Sequence, residues 1–345
     1  MANHPQQRKP LSPAQQRARA KRRKRIRRRR LTIVIMAGIL FLLALLGGGY
    51  FVVERLILEP RREQERLRLE SISISESIQA EQELEDHYRY LKSIAPYGNF
   101  TLETLTALKD SALSAYTEAD DGKITHDENN EFANQAEYFL MNLDDYDEDI
   151  LEFYLANTER YEFVKSYPYR VSHQNPPEKL SESLETVPTL YQWSLDWGYL
   201  PYGNSTIYYA GCAPTCLSMV FSYLNQDPTL TPNAMKTYAE ENGYYVNGVG
   251  TSHALLDDIA AQYNINVTRL DVKQEIIHQA LAEGDLIVLN MIPGKFTAVG
   301  HFIVVAGEQD GKLVIHDPNN IARTNTLWSY EDVLPECAYA WAYWK

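Results

Sequence analysis

Three residues far apart in the sequence, Cys212, His301 and Asp317, set the strongest constraint on how this chain folds. Cys212 stands in Gly211-Cys212-Ala213-Pro214-Thr215-Cys216. His301 opens the run Gly300-His301-Phe302-Ile303-Val304-Val305, and Asp317 follows in His316-Asp317-Pro318. A thiol, an imidazole and a carboxylate in this order are the parts of a cysteine nucleophile. The thiolate attacks, the imidazole takes and returns the proton, and the carboxylate holds the imidazole in the right tautomer. These parts act only in contact, so the fold must close gaps of 89 and then 16 residues.

The local patterns around them allow that closure. Residues 213–225 read as a helix with Pro214 in its first turn, where the missing N–H is no loss. A thiol just before that helix meets free amide groups and the positive end of the helix dipole, which favour a thiolate. Residues 232–242 and 252–263 read as two more helices. Leu286 to Met291, Phe302 to Ala306, Lys312 to Ile315 and Ala338 to Tyr343 read as strands, with Asp310-Gly311 as a hairpin turn. Such a hairpin returns the end of its second strand to the start of its first, so Asp317 can lie beside His301. Strand alternation then turns His316 to the opposite face. Helices first and antiparallel strands after them predict an α+β fold.

The remaining cysteines point elsewhere. Cys216 falls inside the helix beside Leu217 and Val220 and reads as core, and Cys337 reads as structural. Three cysteines are not a disulfide framework. Cys212 and Cys216 would share a helix face, but a zinc site needs two further ligands at plausible spacing, and the sequence offers none. Neither a metal nor a cofactor is expected.

Charge divides the chain. Residues 1–30 carry 13 Lys or Arg and no acid, leaving 20 basic against 46 acidic residues in the rest. Residues 31–53 are 23 residues without a charge, enough to cross a bilayer as one helix. The basic block before them predicts a cytoplasmic N-terminus and an extracytoplasmic C-terminal part. A cleaved signal peptide fits less well, because the apolar run is long and no small-x-small site follows it. The acidic remainder, at −26, argues against nucleic-acid binding, which needs a basic surface.

Residues 54–80 read as a charged stalk, with Pro60 breaking any helix that continues from the membrane. Residues 81–166 read as a helical region without catalytic residues, and 167–185 as a linker marked by Pro168, Pro176 and Pro177. Residues 186–345 form the α+β domain. Within the helical region, Asp120 to Glu128 resembles part of a calcium loop, with Gly122 and Glu128 at the sixth and twelfth positions. Thr117 and Ala119 stand where the first carboxylates belong, so an acidic connecting loop is the better expectation. Among the aromatic residues crowding the approach to Cys212, Trp197 is expected near the site and the others in core and rim.

The segment from Gln192 onward resembles the family-thirty-nine cysteine peptidases, whose type members are bacteriocin-processing, double-glycine leader endopeptidases. It is most similar to their exported, transporter-free relatives. The resemblance rests on Gln192-Trp193 with Trp197-Gly198, Tyr202-Gly203-Asn204, Gly211-Cys212-Ala213-Pro214-Thr215, Gly300-His301-Phe302-Ile303-Val304 and Asp317-Pro318-Asn319, in family order. It implies a papain-like fold with the Cys on a central helix and the His and Asp on the sheet. Cys212 would then be the nucleophile, His301 the general base and acid, and Asp317 the orienting carboxylate. Gln192 would donate to the oxyanion. Two departures stand out. Ala213 replaces the usual Gly, where its methyl could crowd the oxyanion site, and Gln192 lies 20 residues before Cys212 rather than a few. Asn204 or Ser205 are alternatives for the donor. The expected function is a membrane-anchored, extracytoplasmic cysteine peptidase taking a peptide or protein substrate. The alternatives are a catalytically inactive papain-like peptide-binding module at the cell surface, or a protein whose helical region is the interacting part.

Overall fold

The computed structural model describes residues 21–22, 24–37, 59–94 and 100–345. The backbone is helical over residues 24–37, which covers only the first part of the expected membrane span. Residues 38–53 and most of the basic tail lie outside the described residues. Among the described residues no helix is long and apolar enough to cross a membrane. The chain divides into two compact units, residues 1–86 and 87–345.

Helix α1 (Glu59–Ser93) has Pro60 in its first turn, where a helix tolerates it, and runs without a break through residue 80. Its side chains are exposed over residues 61–83. The second unit continues with α2 (Leu102–Leu113), β1 (Tyr116–Glu118), β2 (Ile124–His126), α3 (Glu131–Leu140), α4 (Glu148–Ala156) and α5 (Tyr161–Lys165). Thr101 and Asn130 cap α2 and α3, their side-chain oxygens accepting from backbone N–H groups in the first turn. Leu91, Leu105, Leu108, Phe139, Leu151 and Tyr154 form one buried core. The segment weighed as a calcium loop is the turn and second strand of the antiparallel β1–β2 hairpin, with Gly122 at φ 81°. Among the described residues no group of three or more His, Cys, Asp or Glu side chains could hold a metal ion.

The sheet-bearing part follows: β3 (Pro201–Tyr202), β4 (Ser205–Thr206), α6 (Ile207–Ala210), α7 (Cys212–Asn225), α8 (Pro232–Glu241), β5 (Tyr245–Val246), β6 (Gly250–Thr251) and α9 (Ala254–Gln262). Then come β7 (Asn266–Leu270), α10 (Gln274–Glu283), β8 (Leu286–Met291), β9 (His301–Gln309), β10 (Lys312–His316), α11 (Ile321–Thr324), β11 (Leu327–Trp328), α12 (Tyr330–Val333) and β12 (Cys337–Trp344). Six strands form one sheet in the order β11-β10-β9-β8-β12-β7. Every neighbouring pair is antiparallel. The α+β expectation therefore holds, and α7 and the strands β8, β9, β10 and β12 stand where the sequence predicts them, within a few residues at their ends.

Helix α7 is buried from Ala213 to Ser222, as a helix apolar on all sides must be. Cys216, Leu217 and Val220 pack with Val288, Val304, Trp341 and Tyr343 on one face of the sheet. Ile277 of α10 and Val333 of α12 cover the other face with Ile303, Val305 and Ile315.

The helical region is packed onto the sheet-bearing part. Tyr199 belongs to the helical core, its ring stacked on Phe163 with centroids 4.2 Å apart and its hydroxyl donating to the Phe163 carbonyl. Trp193 and Tyr208 pack on the same cluster. These aromatics before Cys212 thus seal an internal seam. Residues 167–185 are also tied down: Gln174 donates to the Tyr199 carbonyl (3.1 Å), and the buried Leu180 donates its N–H to the Pro228 carbonyl (2.8 Å). Phe163→Ala is expected to cost about 3–5 kcal/mol of stability. In chemical denaturation, helical and sheet signals should be lost in one shared transition at lower denaturant. Loss of helical signal alone would contradict a shared seam.

Candidate active site

An irregularity in the sheet brings His301 and Asp317 to one face. β9 and β10 pair with Lys312 opposite Gln309 and Val314 opposite Gly307, and then the register shifts. Ile315 faces Val305 and His316 faces Val304, so Ala306 is passed over. A one-residue shift exchanges the two faces of everything beyond it. After the bulge, alternation sets Asp317 in line with Ile303 and His301 of β9, so the two side chains can meet at the end of the strands. Without the bulge, Asp317 would align with Phe302 and Val304 on the opposite face.

The contact that results is direct. His301 Nε2 and Asp317 Oδ1 are 2.7 Å apart, and both side chains are buried. Asp317 Oδ1 also accepts the Asn319 backbone N–H (2.8 Å), and Oδ2 accepts from Arg323 Nη1 (3.1 Å). Burial works against ionising Asp317, but the His301 charge and hydrogen bond, the Asn319 N–H and Arg323 outweigh it and hold the carboxyl below its usual range. Burial likewise opposes the imidazolium. The Asp317 charge, its hydrogen bond and the Cys212 side chain overcome that, and the His301 pKa rises to about 10. The raised imidazole pKa contributes stability that is complete below the ordinary histidine range and lost as pH rises through about 10. Asp317 contributes above the ordinary carboxylate range, and that share is lost as pH falls through its lowered pKa.

Cys212 reaches this pair from the start of α7. It is part-buried, and it lies near enough to His301 for its side chain to help raise the imidazole pKa. With Nε2 engaged by Asp317, the other ring nitrogen, Nδ1, is left for the thiol. As the first residue of α7, Cys212 has a backbone N–H without a partner in the helix. Gly211 permits this entry, because a Cβ there would sit 2.5 Å from the Ile207 carbonyl oxygen. Ala213 is fully buried in the core with Cys216 and Leu217, so its methyl packs inward.

Gln192 is buried beside the same loop. Its backbone N–H donates to the Pro318 carbonyl (2.8 Å), and its Nε2 donates to the Tyr208 carbonyl (2.6 Å). One amide proton remains beyond the bond to Tyr208, and Oε1 is buried without a partner. Asn204 accepts from the Tyr245 hydroxyl in the β3–β4 turn. Trp197 is a core residue whose Nε1 donates to the Tyr191 carbonyl (2.8 Å), fixing the segment that carries Gln192.

Two further histidines, His316 and His253, are engaged elsewhere. His316 turns to the Pro188 carbonyl (3.2 Å). His253 packs edge-on against Phe302, Tyr339 and Trp341. Burial pushes the Cys216 thiol well up and raises the Cys337 pKa to about 12. Two cations escaped the sequence reading: Arg323, which bonds Asp317, and Arg160, which bonds Asn319 from the helical region. Arg323 is six residues after Asp317 and could have been sought there. Nothing local marks Arg160, 159 residues from Asn319.

Asp317→Asn should leave burial acting on His301 without an anion beside it. Its pKa is expected to fall from about 10 to below about 7, read by NMR of histidine-labelled protein. A His301 that still titrates near 10 in this variant would show that Asp317 is not its partner.

Residues 184–345 match the model of the Peptidase_C39 like family. Two solved structures are similar at low identity. One is the peptidase domain of Streptococcus ComA, a bi-functional ABC transporter involved in a quorum sensing pathway, at 19% identity and TM-score 0.30, covering 40% of this chain and 93% of that one. The other is a C39-like peptidase candidate from Bacillus anthracis, at 17% identity and TM-score 0.33, covering 49% of this chain and 98% of that one. The comparison with curated proteins gave no match. Residues 184–345 are thus similar to the Peptidase_C39 like family, and their α+β fold with an antiparallel sheet agrees with that match.

Proposed function

We propose that this protein is a cysteine hydrolase of peptide or amide bonds, with Cys212 as nucleophile, His301 as proton carrier and Asp317 as orienting group. The observation that carries the reading is the buried His301–Asp317 bond, with Cys212 near enough to the same ring to influence its charge. A thiol and a proton-carrying imidazole in this arrangement can serve both halves of the reaction. The thiolate attacks the carbonyl carbon while His301 gives its proton to the departing amine. Having given that proton to the amine, His301 is neutral and can take one from the water that attacks the thioester. Asp317 keeps Nε2 engaged throughout and leaves Nδ1 to face the reacting atoms.

The oxyanion formed in each half needs N–H donors. The Cys212 backbone N–H is one, and the remaining amide proton of Gln192 is the second. A donor of this type is worth about 3 kcal/mol, or about 10²-fold in kcat. The anchor belongs to the same reading: residues 31–53 hold the domain at the outer side of a membrane, with the basic tail inside. The acidic exported part fits a peptide or protein substrate and not a nucleic acid.

Cleavage of a panel of peptides and crosslinked muropeptides should fall by more than about 10⁴-fold in Cys212→Ala. In Gln192→Ala, kcat should drop about 10²-fold with little change in KM. Tight peptide binding with no cleavage by the unaltered protein would favour the binding-module alternative.

A further inference from the structure

The helical region reaches the loop that carries Asp317 through two adjacent residues, Glu159 and Arg160. Arg160 is 7% exposed. Its Nη2 donates to the Asn319 side-chain oxygen (2.9 Å) and more weakly to the Asn319 carbonyl (3.3 Å). Its Nη1 donates to the Phe153 carbonyl (2.8 Å), and the guanidinium lies 3.8 Å from the centroid of the Phe153 ring. The cation is thus fixed at one end to α4 and at the other to Asn319. Asn319 is the residue whose backbone N–H holds Asp317 Oδ1. Glu159 grips the next turn: its two carboxylate oxygens accept the backbone N–H groups of Ile321 (3.0 Å) and Ala322 (2.9 Å).

These bonds have a direction. The sheet fixes β10 only as far as His316. Beyond it the chain must turn so that Asp317 faces His301, and each of residues 319, 321 and 322 is held by a side chain from the helical region. A buried guanidinium with a planar fork is suited to such a hold, and it loses little freedom when it binds two oxygens of one residue.

We infer that Arg160, with Glu159 beside it, is a positioning residue of the candidate active site: it clamps the 317–322 loop so that Asp317 stays on His301. The helical region is then part of the catalytic apparatus rather than a spacer. This rests on the hydrolase reading only in that it makes the Asp317–His301 contact matter. The charged and titratable groups around Asp317 are His301, Arg323, Arg160, Glu159, Tyr191, Cys212 and Cys216.

The test is the titration midpoint of His301 in the full chain, followed by NMR of histidine-labelled protein and assigned against His301→Ala. Arg160→Gln is expected to lower the midpoint by about one pH unit, a tenfold loss of proton affinity, because Asp317 no longer stays on the ring. The sign separates the clamp from a simple charge effect, since removing a cation on its own favours the imidazolium and moves the midpoint up. Arg160→Lys keeps the charge without the fork and should also shift downward. If Arg160→Gln does not fold, Asn319→Ala removes the side-chain oxygen that Arg160 holds at 2.9 Å without changing any charge, and a downward shift is again expected. A midpoint that is unmoved or raised in these variants overturns the clamp. The readout needs neither turnover nor thiol reactivity, so an inert Cys212 would sink the hydrolase reading and leave the clamp intact.

Discussion

A buried hydrogen bond between an imidazole and a carboxylate organises the sheet-bearing part of this protein. Neither His301 nor Asp317 is tolerable alone where it stands, because removing one would leave the other buried without its partner. Together they satisfy each other, and the remaining oxygen of Asp317 is taken up by Arg323. The same bond decides the chemistry of the site. It engages Nε2, leaves the other ring nitrogen toward Cys212, and keeps the imidazolium stable far above the ordinary histidine range.

The surrounding structure supports that bond from several directions. The bulge between β9 and β10 gives the two side chains a common face. Helix α7, buried on nearly every side, presents Cys212 from a first turn that only a glycine before it allows. The aromatic seam of Phe163, Tyr199 and Tyr208 locks the helical region onto the segment leading to Cys212. From that locked position Arg160 reaches Asn319.

Much of the site was legible in the sequence because its parts have local signatures. A Pro in a first turn marks α7, Asp310-Gly311 marks the hairpin, and both residues adopt the left-handed conformation that such a turn requires (φ 52° and 73°). Alternation correctly separated His316 from Asp317. The bulge was not read, although Gly307 in a strand is the usual hint of one. The edge strand β7 and helix α10 were also missed. Asn266, Thr268 and Arg269 are exposed polar residues, so β7 lacks the apolar alternation that identifies a strand. The seam and the Arg160 clamp were beyond sequence reasoning for a different reason. They join residues far apart in the chain, and an arginine looks the same whether it is solvated or holds a loop.

The most direct test of the central claim is thiol alkylation of the full chain across pH, with Cys212, Cys216 and Cys337 followed separately by peptide mass mapping. A thiol served by an imidazole should be alkylated faster at Cys212 than at Cys216 or Cys337, and His301→Ala should abolish that advantage. If Cys212 reacts no faster than a free cysteine at every pH, or if His301→Ala leaves its profile unchanged, the thiol and the imidazole do not act as a pair and the account is wrong.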